Sequence, residues 1–298
     1  MSKPQNPLVS VVTPCFNAAA TLPRALASLR AQTESSWECI VVDDGSSDDL
    51  GAVIEAVADA RVRLERLAVN RGRGFARQKA LELAGGQFLC MLDADDWYYP
   101  DKLERQLAIM QAEPELALVS MGMAIVDEQN ALCGVRTWAC DVALVKRHGA
   151  SFQTTGFAFA PSMIRTELAR ATGFDARLRR SEDWDFLMRL LAGRSYAVMP
   201  EIGYVYRELY SAHAMREALD VFGHQRQVLL KSMAAAPAPA AAEYVKTYLK
   251  SAVYKAGLLT QTGRALFTRR NTRATPEQQA GFQRARGRVE ACLATPSP

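Results

Sequence analysis

Phe88-Leu89-Cys90-Met91-Leu92-Asp93-Ala94-Asp95-Asp96 is a five-residue apolar run that ends in three carboxylates. Preceded by Gly85-Gly86, so short a run reads as a buried strand. Toward the N-terminus the same alternation recurs. Phe75–Leu83 reads as a helix, Asn70-Arg71-Gly72-Arg73-Gly74 as a loop, and Val62–Leu67 as a strand. Before them, Leu50, Val53, Ile54 and Val57 share one helical face. Asp43-Asp44-Gly45-Ser46-Ser47 is a turn cluster closing the strand Cys39–Val42, and Ser47 or Asp48 is placed to cap the next helix. Leu22, Ala25, Leu26 and Leu29 repeat at helical spacing behind Thr21 and Pro23, after a first strand at Leu8–Val12. This βαβαβαβ order predicts an α/β fold with a mostly parallel central sheet and helices on both faces. Ligands of open sheets bind beyond the strand C-termini. Three polar clusters fall there: Thr13–Asn17, Asp43–Ser47 and Asp93–Asp96.

Further on, a helix is expected from Pro100 to about Glu113, a strand at Leu116–Met121 and a helix at Asp183–Leu191. Residues 127–160 are less regular and are expected on the acceptor side of a site. Residues 215–298 read as mainly helical, broken at Ala234–Ala242 around Pro237 and Pro239, as a linker or capped helix end.

The 298 residues suit one large α/β domain or two modest ones. With 49% hydrophobic and 23% charged residues, disorder, collagen and a disulfide miniprotein are excluded. A net charge of +4 does not call for nucleic acid. The charge is uneven: residues 207–298 carry 14 Lys+Arg and 6 Asp+Glu, net +8, which leaves −4 on residues 1–206. The six cysteines (Cys15, Cys39, Cys90, Cys133, Cys140, Cys292) form no CxxC pair, so a zinc site or disulfide framework is not expected and a reducing compartment is. No signal-type apolar stretch follows Met1, and no run of about 18 apolar residues occurs.

Several segments carry candidate chemistry. Asp93, Asp95 and Asp96 repel one another at a strand end, so a divalent Mn²⁺ or Mg²⁺ suits them; acids also suit a helix N-cap before Pro100. Asp43 and Asp44 fit either turn chemistry or the base and ribose of a nucleotide. Asn70–Arg77 combines glycines for close backbone approach with forked arginine donors for phosphate, or is a solvated basic loop. Ser181-Glu182-Asp183-Trp184-Asp185 opens a helix, where acids cap or one of them serves as a general base. His213 is a distant metal candidate or a surface residue. GxGxxG after the first strand, the Walker pattern, HExxH and GxSxG are absent.

Taken in order, these segments resemble the family 2 glycosyltransferases, inverting enzymes with a GT-A-type nucleotide-diphospho-sugar transferase fold. The matching stretches are Val9–Asn17, Val41–Asp48, Asn70-Arg71-Gly72 through Ala76-Arg77, Leu92–Asp96, Gly173-Phe174-Asp175 and Ser181–Phe186. The resemblance covers about residues 8–210. It implies a catalytic domain at 1–214 and leaves 215–298 as a helical, basic C-terminal extension. It implies transfer of a sugar, hexosyl or N-acetylhexosaminyl, from a nucleotide-diphosphate sugar to an acceptor hydroxyl. Thr13, Pro14, Phe16, Asn17, Asp43, Asp44, Arg77, Asp93, Ala94 and Asp95 would bind the nucleotide sugar. Asp95 and Asp96, with His213, would hold Mn²⁺ or Mg²⁺, and Asp183 would be the base, with Glu182 and Trp184 on the acceptor side. A UDP-sugar, a glycan or lipid-linked acceptor and a role in bacterial surface polysaccharide or glycoconjugate synthesis follow by the same resemblance. So does a cytoplasmic place, peripheral at the inner face of the membrane if the arginine-rich tail rests on anionic lipid.

Two departures stand out: Gln78 where the family often has Asn, and Ser211-Ala212-His213 where a Ser-x-Ser element is common. An inactive sugar-nucleotide-binding scaffold and a nucleotidylyltransferase are the competing readings. The first is opposed by the intact acids. The second lacks its Gly-rich phosphate loop after the first strand. Oligomeric state is not written in the residues.

Overall fold

Runs of apolar residues covered by helices on both faces become central strands. In the computed structural model, which describes residues 7–138, 145–148, 156–208, 211–234, 236–260 and 270–295, this happens three times before residue 92, beside a fourth strand at the edge. Strand β1 (Val9–Cys15), helix α1 (Leu22–Arg30), β2 (Trp37–Asp43), α2 (Leu50–Val57), β3 (Val62–Arg66), α3 (Arg73–Leu83) and β4 (Phe88–Met91) follow in turn. β1, β2 and β4 are buried throughout, whereas β3 is a half-exposed edge. They lie in the order β3-β2-β1-β4, all parallel. Register sets Cys15 opposite Asp43, and the Leu92 N–H donates to the Val12 carbonyl. The three polar strand ends therefore share one edge of the sheet.

The chain continues through β5 (Trp97–Tyr98), α4 (Lys102–Ala112), β6 (Leu116–Val126), β7 (Leu132–Arg136), β8 (Val145–His148), β9 (Met163–Arg165), α5 (Thr166–Thr172), α6 (Glu182–Leu191) and β10 (Ser195–Arg207). β9 wedges antiparallel between β4 and β6, and β10 pairs parallel with β6. The four parallel ladders hold most of the paired residues, while the second half of the sheet is mixed. Several elements outrun their expected bounds. β1 reaches Cys15, so Thr13 and Pro14 are sheet positions, and β6 runs five residues past Met121 to Val126. Asp49, not Ser47 or Asp48, caps α2 by accepting the Ala52 N–H at 3.0 Å, while Asp48 accepts from Ala19 N.

Three helices follow among the described residues: α7 (Ala212–Ser232), α8 (Pro237–Leu259) and α9 (Pro276–Ala294). Ser211 caps α7 by accepting the Ala214 N–H, and Pro237 sits in the first turn of α8, so the chain breaks between Ser232 and Pro237. The expected boundary at 214/215 falls inside the first turn of α7. The C-terminal region makes two separate contacts. α7 and α8 pack on each other, with Phe222 edge-on to Tyr254. α9 instead docks on the body that carries the sheet: Phe282 packs 5.6 Å from the Trp97 ring, within a cluster that includes Ala27, Val205 and Val289. A bridge between Thr272 and Val135 ties its approach. Of its arginines, Arg286 donates to the Asn130 carbonyl, whereas Arg284 is exposed. Arg286 pairs with Glu290 at 2.7 Å and Arg288 donates to the Ala31 carbonyl. Arg264 and Arg269 of the arginine-rich tail lie outside the described residues, as does most of 139–155.

Removing a buried aromatic costs transfer free energy plus a cavity. Phe282→Ala is expected to lower unfolding free energy by about 3–5 kcal/mol in urea titrations. A loss below about 1 kcal/mol would mean that α9 rests on the domain without sharing its core.

Candidate active site

Arg77, one turn into α3, is 2% exposed and carries its guanidinium between two acids. Nη1 donates to Glu182 Oε1 at 2.6 Å and Nη2 to Asp93 Oδ1 at 3.0 Å. Burial opposes the charge, but Asp93 and Glu182 outweigh it and hold the guanidinium above its ordinary pKa. The start of α3 reaches this position because Gly74 lets its backbone pass the 175–178 loop. A Cβ there would lie 2.7 Å from the Leu178 carbonyl oxygen. One turn away, Gln78 Oε1 accepts the Phe174 N–H at 2.8 Å, and Phe174 stacks on Phe186 at 4.2 Å. The departure at Gln78 thus serves to fasten Gly173-Phe174-Asp175 to α3.

The acids after β4 divide between inside and outside. Asp96 is 1% exposed. Its Oδ2 accepts from the Tyr204 hydroxyl at 2.6 Å and its Oδ1 from the Arg207 N–H at 2.8 Å. Burial first, then Asp95 and Asp93, push its carboxyl up. Asp96 therefore does not face the cleft as a metal ligand; it ties the turn to β10. The Tyr204 oxygen also accepts the Asp93 N–H at 3.3 Å. Ala94 is buried, and Asp95 points outward, its carboxyl raised by burial in the recess and then by Asp93.

At the second strand end both acids are buried, and they differ in what they meet. Asp44 is buried, and its two oxygens accept the N–H groups of Arg71 and Gly72 at 2.7 and 2.8 Å. It holds the basic loop through one hydrogen bond on each oxygen. Asp43 accepts the Ser46 N–H and borders an open cavity of about 300 Å³ with Gly45, Ser46, Asp48, Arg66 and Leu67. Gly45 has φ +74°, and a Cβ there would lie 2.7 Å from the Asn70 nitrogen, so only glycine fits. Asn17, also left-handed, accepts the Ser47 N–H on Oδ1 and donates its own N–H to the Ser46 hydroxyl oxygen. Phe16 stands 51% exposed beside them, while Thr13 is buried against Cys39 and Pro14 is buried in the strand.

α6 is preceded by Ser181, a non-glycine residue at φ +61° whose hydroxyl donates to the Val221 carbonyl. Left-handed strain of this kind persists only where the surroundings enforce it. It turns Glu182 inward to Arg77 and leaves Asp183 half-exposed. Glu182 is thus a buried partner of Arg77 and not an acceptor-lining group. Trp184 packs toward Leu178, Met188 and Val228, which joins α6 to α7. His213 lies at the start of α7, and its side chain is outside the described residues.

Two further cations stand at the site, Arg73 from the basic loop read as a phosphate candidate and Arg207 from the end of β10. Arg73, the first residue of α3, lies within electrostatic reach of Asp93, Glu182 and Asp183, and Arg73 and Arg207 both act on Asp95. Arg207 Nε is buried without an acceptor among the described residues. Three arginines in one motif were the signal for Arg73; nothing local marks Arg207 or Tyr204, which reach the site only through the β10–β6 pairing. Cations beside outward carboxylates suit a diphosphate together with a hard metal ion. No three His, Cys, Asp or Glu side chains form a closed cage among the described residues. A divalent ion held by one or two carboxylates and substrate phosphates does not need one. Asp95, with Asp93 beside it, fits that donor set.

The Glycosyl transferase family 2 model matches residues 10–137. Succinoglycan biosynthesis protein ExoO of Rhizobium meliloti (strain 1021) is 30% identical over 210 residues, 67% of this chain and 60% of that protein. The UDP-Glc:alpha-D-GlcNAc-diphosphoundecaprenol beta-1,3-glucosyltransferase WfgD of Escherichia coli is 37% identical over 103 residues, 35% of this chain and 41% of that one. S. aureus TarS 1-349 in complex with UDP-GlcNAc superposes with TM-score 0.60 at 20% identity, over 96% of this chain and 81% of that one. The chain belongs to the family 2 glycosyltransferases and has their GT-A-type fold. The matches span 41–60% of the length of these two curated relatives.

Breaking a buried pair by removing one partner leaves an uncompensated charge. Arg77→Ala is expected to cost about 3–5 kcal/mol in urea unfolding, and Glu182→Gln, which keeps a hydrogen-bond acceptor for Arg77, less. Equal losses from the two would show that the charge of Glu182 matters more than its acceptor oxygen.

Proposed function

We propose that this chain transfers a sugar from a nucleotide-diphosphate sugar to an acceptor hydroxyl, inverting the anomeric configuration. The observation that carries this reading is the Arg77 bridge. It ties the donor-side acid Asp93 to Glu182, the neighbour of Asp183. Asp183 accepts the acceptor's hydroxyl proton while the oxygen attacks the anomeric carbon from the face opposite the leaving group. The bonding pair departs with the nucleoside diphosphate. Arg73 and Arg207 take up the diphosphate charge. Asp43, Phe16 and Asn17 line the end for base and ribose. Asp95, with Asp93, would hold Mn²⁺ or Mg²⁺, which as a Lewis acid neutralises the leaving diphosphate. A UDP-hexose or UDP-N-acetylhexosamine donor is supported by the UDP-GlcNAc held by TarS and the UDP-Glc in WfgD's name. A polysaccharide or lipid-linked glycan acceptor is supported by the names of ExoO and WfgD.

Asp183→Asn keeps the shape of the side chain and removes the base. It is expected to lower transfer to a sugar-acceptor panel by at least about 10²-fold, with donor affinity by calorimetry little changed. Transfer at the wild-type rate would move the base elsewhere. Asp95→Ala is expected to weaken nucleotide binding in the presence of Mn²⁺ and to have little effect in chelator. Equal affinities with Mn²⁺ would remove Asp95 from the metal site.

A further inference from the structure

α8 buries one face and, among the described residues, leaves the opposite one without a partner. Ala240, Thr247, Ser251, Tyr254 and Gly257 turn inward. On the other side Val245, Leu249, Val253 and Leu259 are 57%, 63%, 50% and 86% exposed, with Ala242, Ala252 and Ala256 between them. Ala242, Val245, Leu249, Ala252, Ala256 and Leu259 follow at alternating steps of three and four, which puts them in one stripe along the helix. Contiguous exposed apolar surface of this kind marks a docking face. Its charge says what docks. Lys246 and Lys250 border the stripe on one side and Lys255 on the other, all exposed. The single acid of α8, Glu243, is neutralised by Lys246 at 2.5 Å. A second α8 would set lysines against lysines along both seams, which disfavours a helix pair. An apolar stripe with lysine borders instead matches an anionic bilayer, where the stripe enters the headgroup layer and the lysine stems let the ammonium groups meet lipid phosphates.

We infer that the exposed face of α8 is a docking surface for an anionic lipid membrane. No helix of the described residues is long and apolar enough to cross a membrane, so the contact is one of lying on the surface. α8 packs on α7, and α7 is fastened to the start of α6 through Ser181 and through the Arg180–Glu217 pair at 2.7 Å. Two helix layers therefore separate the docked face from Asp183. This is the place for an acceptor carried in the lipid, a consequence that rests on the proposed transfer; the docking itself does not.

The test is sedimentation of the full chain with phosphatidylglycerol-containing vesicles and with pure phosphatidylcholine vesicles, at low and raised salt, without donor or acceptor. Wild type is expected to bind the anionic vesicles, more weakly as salt rises, and the neutral ones poorly. Leu249→Glu/Val253→Glu and Lys250→Glu/Lys255→Glu are each expected to weaken binding by about tenfold or more. Both alter exposed positions, and retained helical circular dichroism and nucleotide affinity confirm that they fold. Wild type that ignores anionic vesicles, or either variant binding as wild type does, overturns the inference. So does a wild-type dimer in sedimentation equilibrium that Leu249→Glu/Val253→Glu dissociates, since a second copy then covers the face. Because nucleotide and acceptor are absent, failure here leaves the transferase reading standing, and failure of transfer leaves the docking standing.

Discussion

A buried guanidinium is tolerated only where acids meet it, and in this chain that requirement joins three elements. Arg77 comes from α3, Asp93 from the end of β4 and Glu182 from the first turn of α6. A lone buried charge costs several kcal/mol, so none of the three drifts without penalty. The position of Asp183 follows from this, since it is the residue after Glu182. So does the left-handed Ser181, which lets the chain bring Glu182 inward and Asp183 outward within two residues. α3 adds a second tether through Gln78 and Phe174, whose ring joins Phe159 and Phe186 beside the guanidinium.

Adjacent acids in this site carry different tasks. In Asp43-Asp44 the first borders the cavity and the second holds the basic loop by two backbone amides. In Asp95-Asp96 the first faces out and the second is locked by Tyr204 and Arg207. In Glu182-Asp183 the first pairs with Arg77 and the second is left toward the cleft. Each inward acid is satisfied by donors from a remote part of the chain, as a buried carboxylate requires. Asp95 and Asp183, the members that are not buried, each adjoin an acid fixed in this way. The site thus keeps open carboxylates near cations without letting them collapse on the nearest arginine.

The basic C-terminal region also divides. α9 returns to the sheet and places Phe282 on Trp97, and Arg286 and Arg288 donate to the Asn130 and Ala31 carbonyls. α8 faces away, and there apolar exposure and lysines coincide. The charge excess of residues 207–298 is therefore no single patch, and the segment with an unpartnered face is the one rich in lysine and not the one rich in arginine.

Periodicity was enough to read the alternation of strands and helices up to Leu92, because apolar spacing and glycine breaks act over a few residues. The strand-end position of Asp43, Asp93 and their neighbours was legible for the same reason. β9 between β4 and β6 was not, since a three-residue strand has no period of its own. Nor were the partners of Asp96 and Glu182, which lie 108 and 105 residues away. The sequence by itself determined which acids and arginines gather at one sheet edge. Only the tertiary structure decided which of each adjacent pair faces the cleft, because that depends on whether a donor from another element arrives to satisfy the carboxylate turned inward.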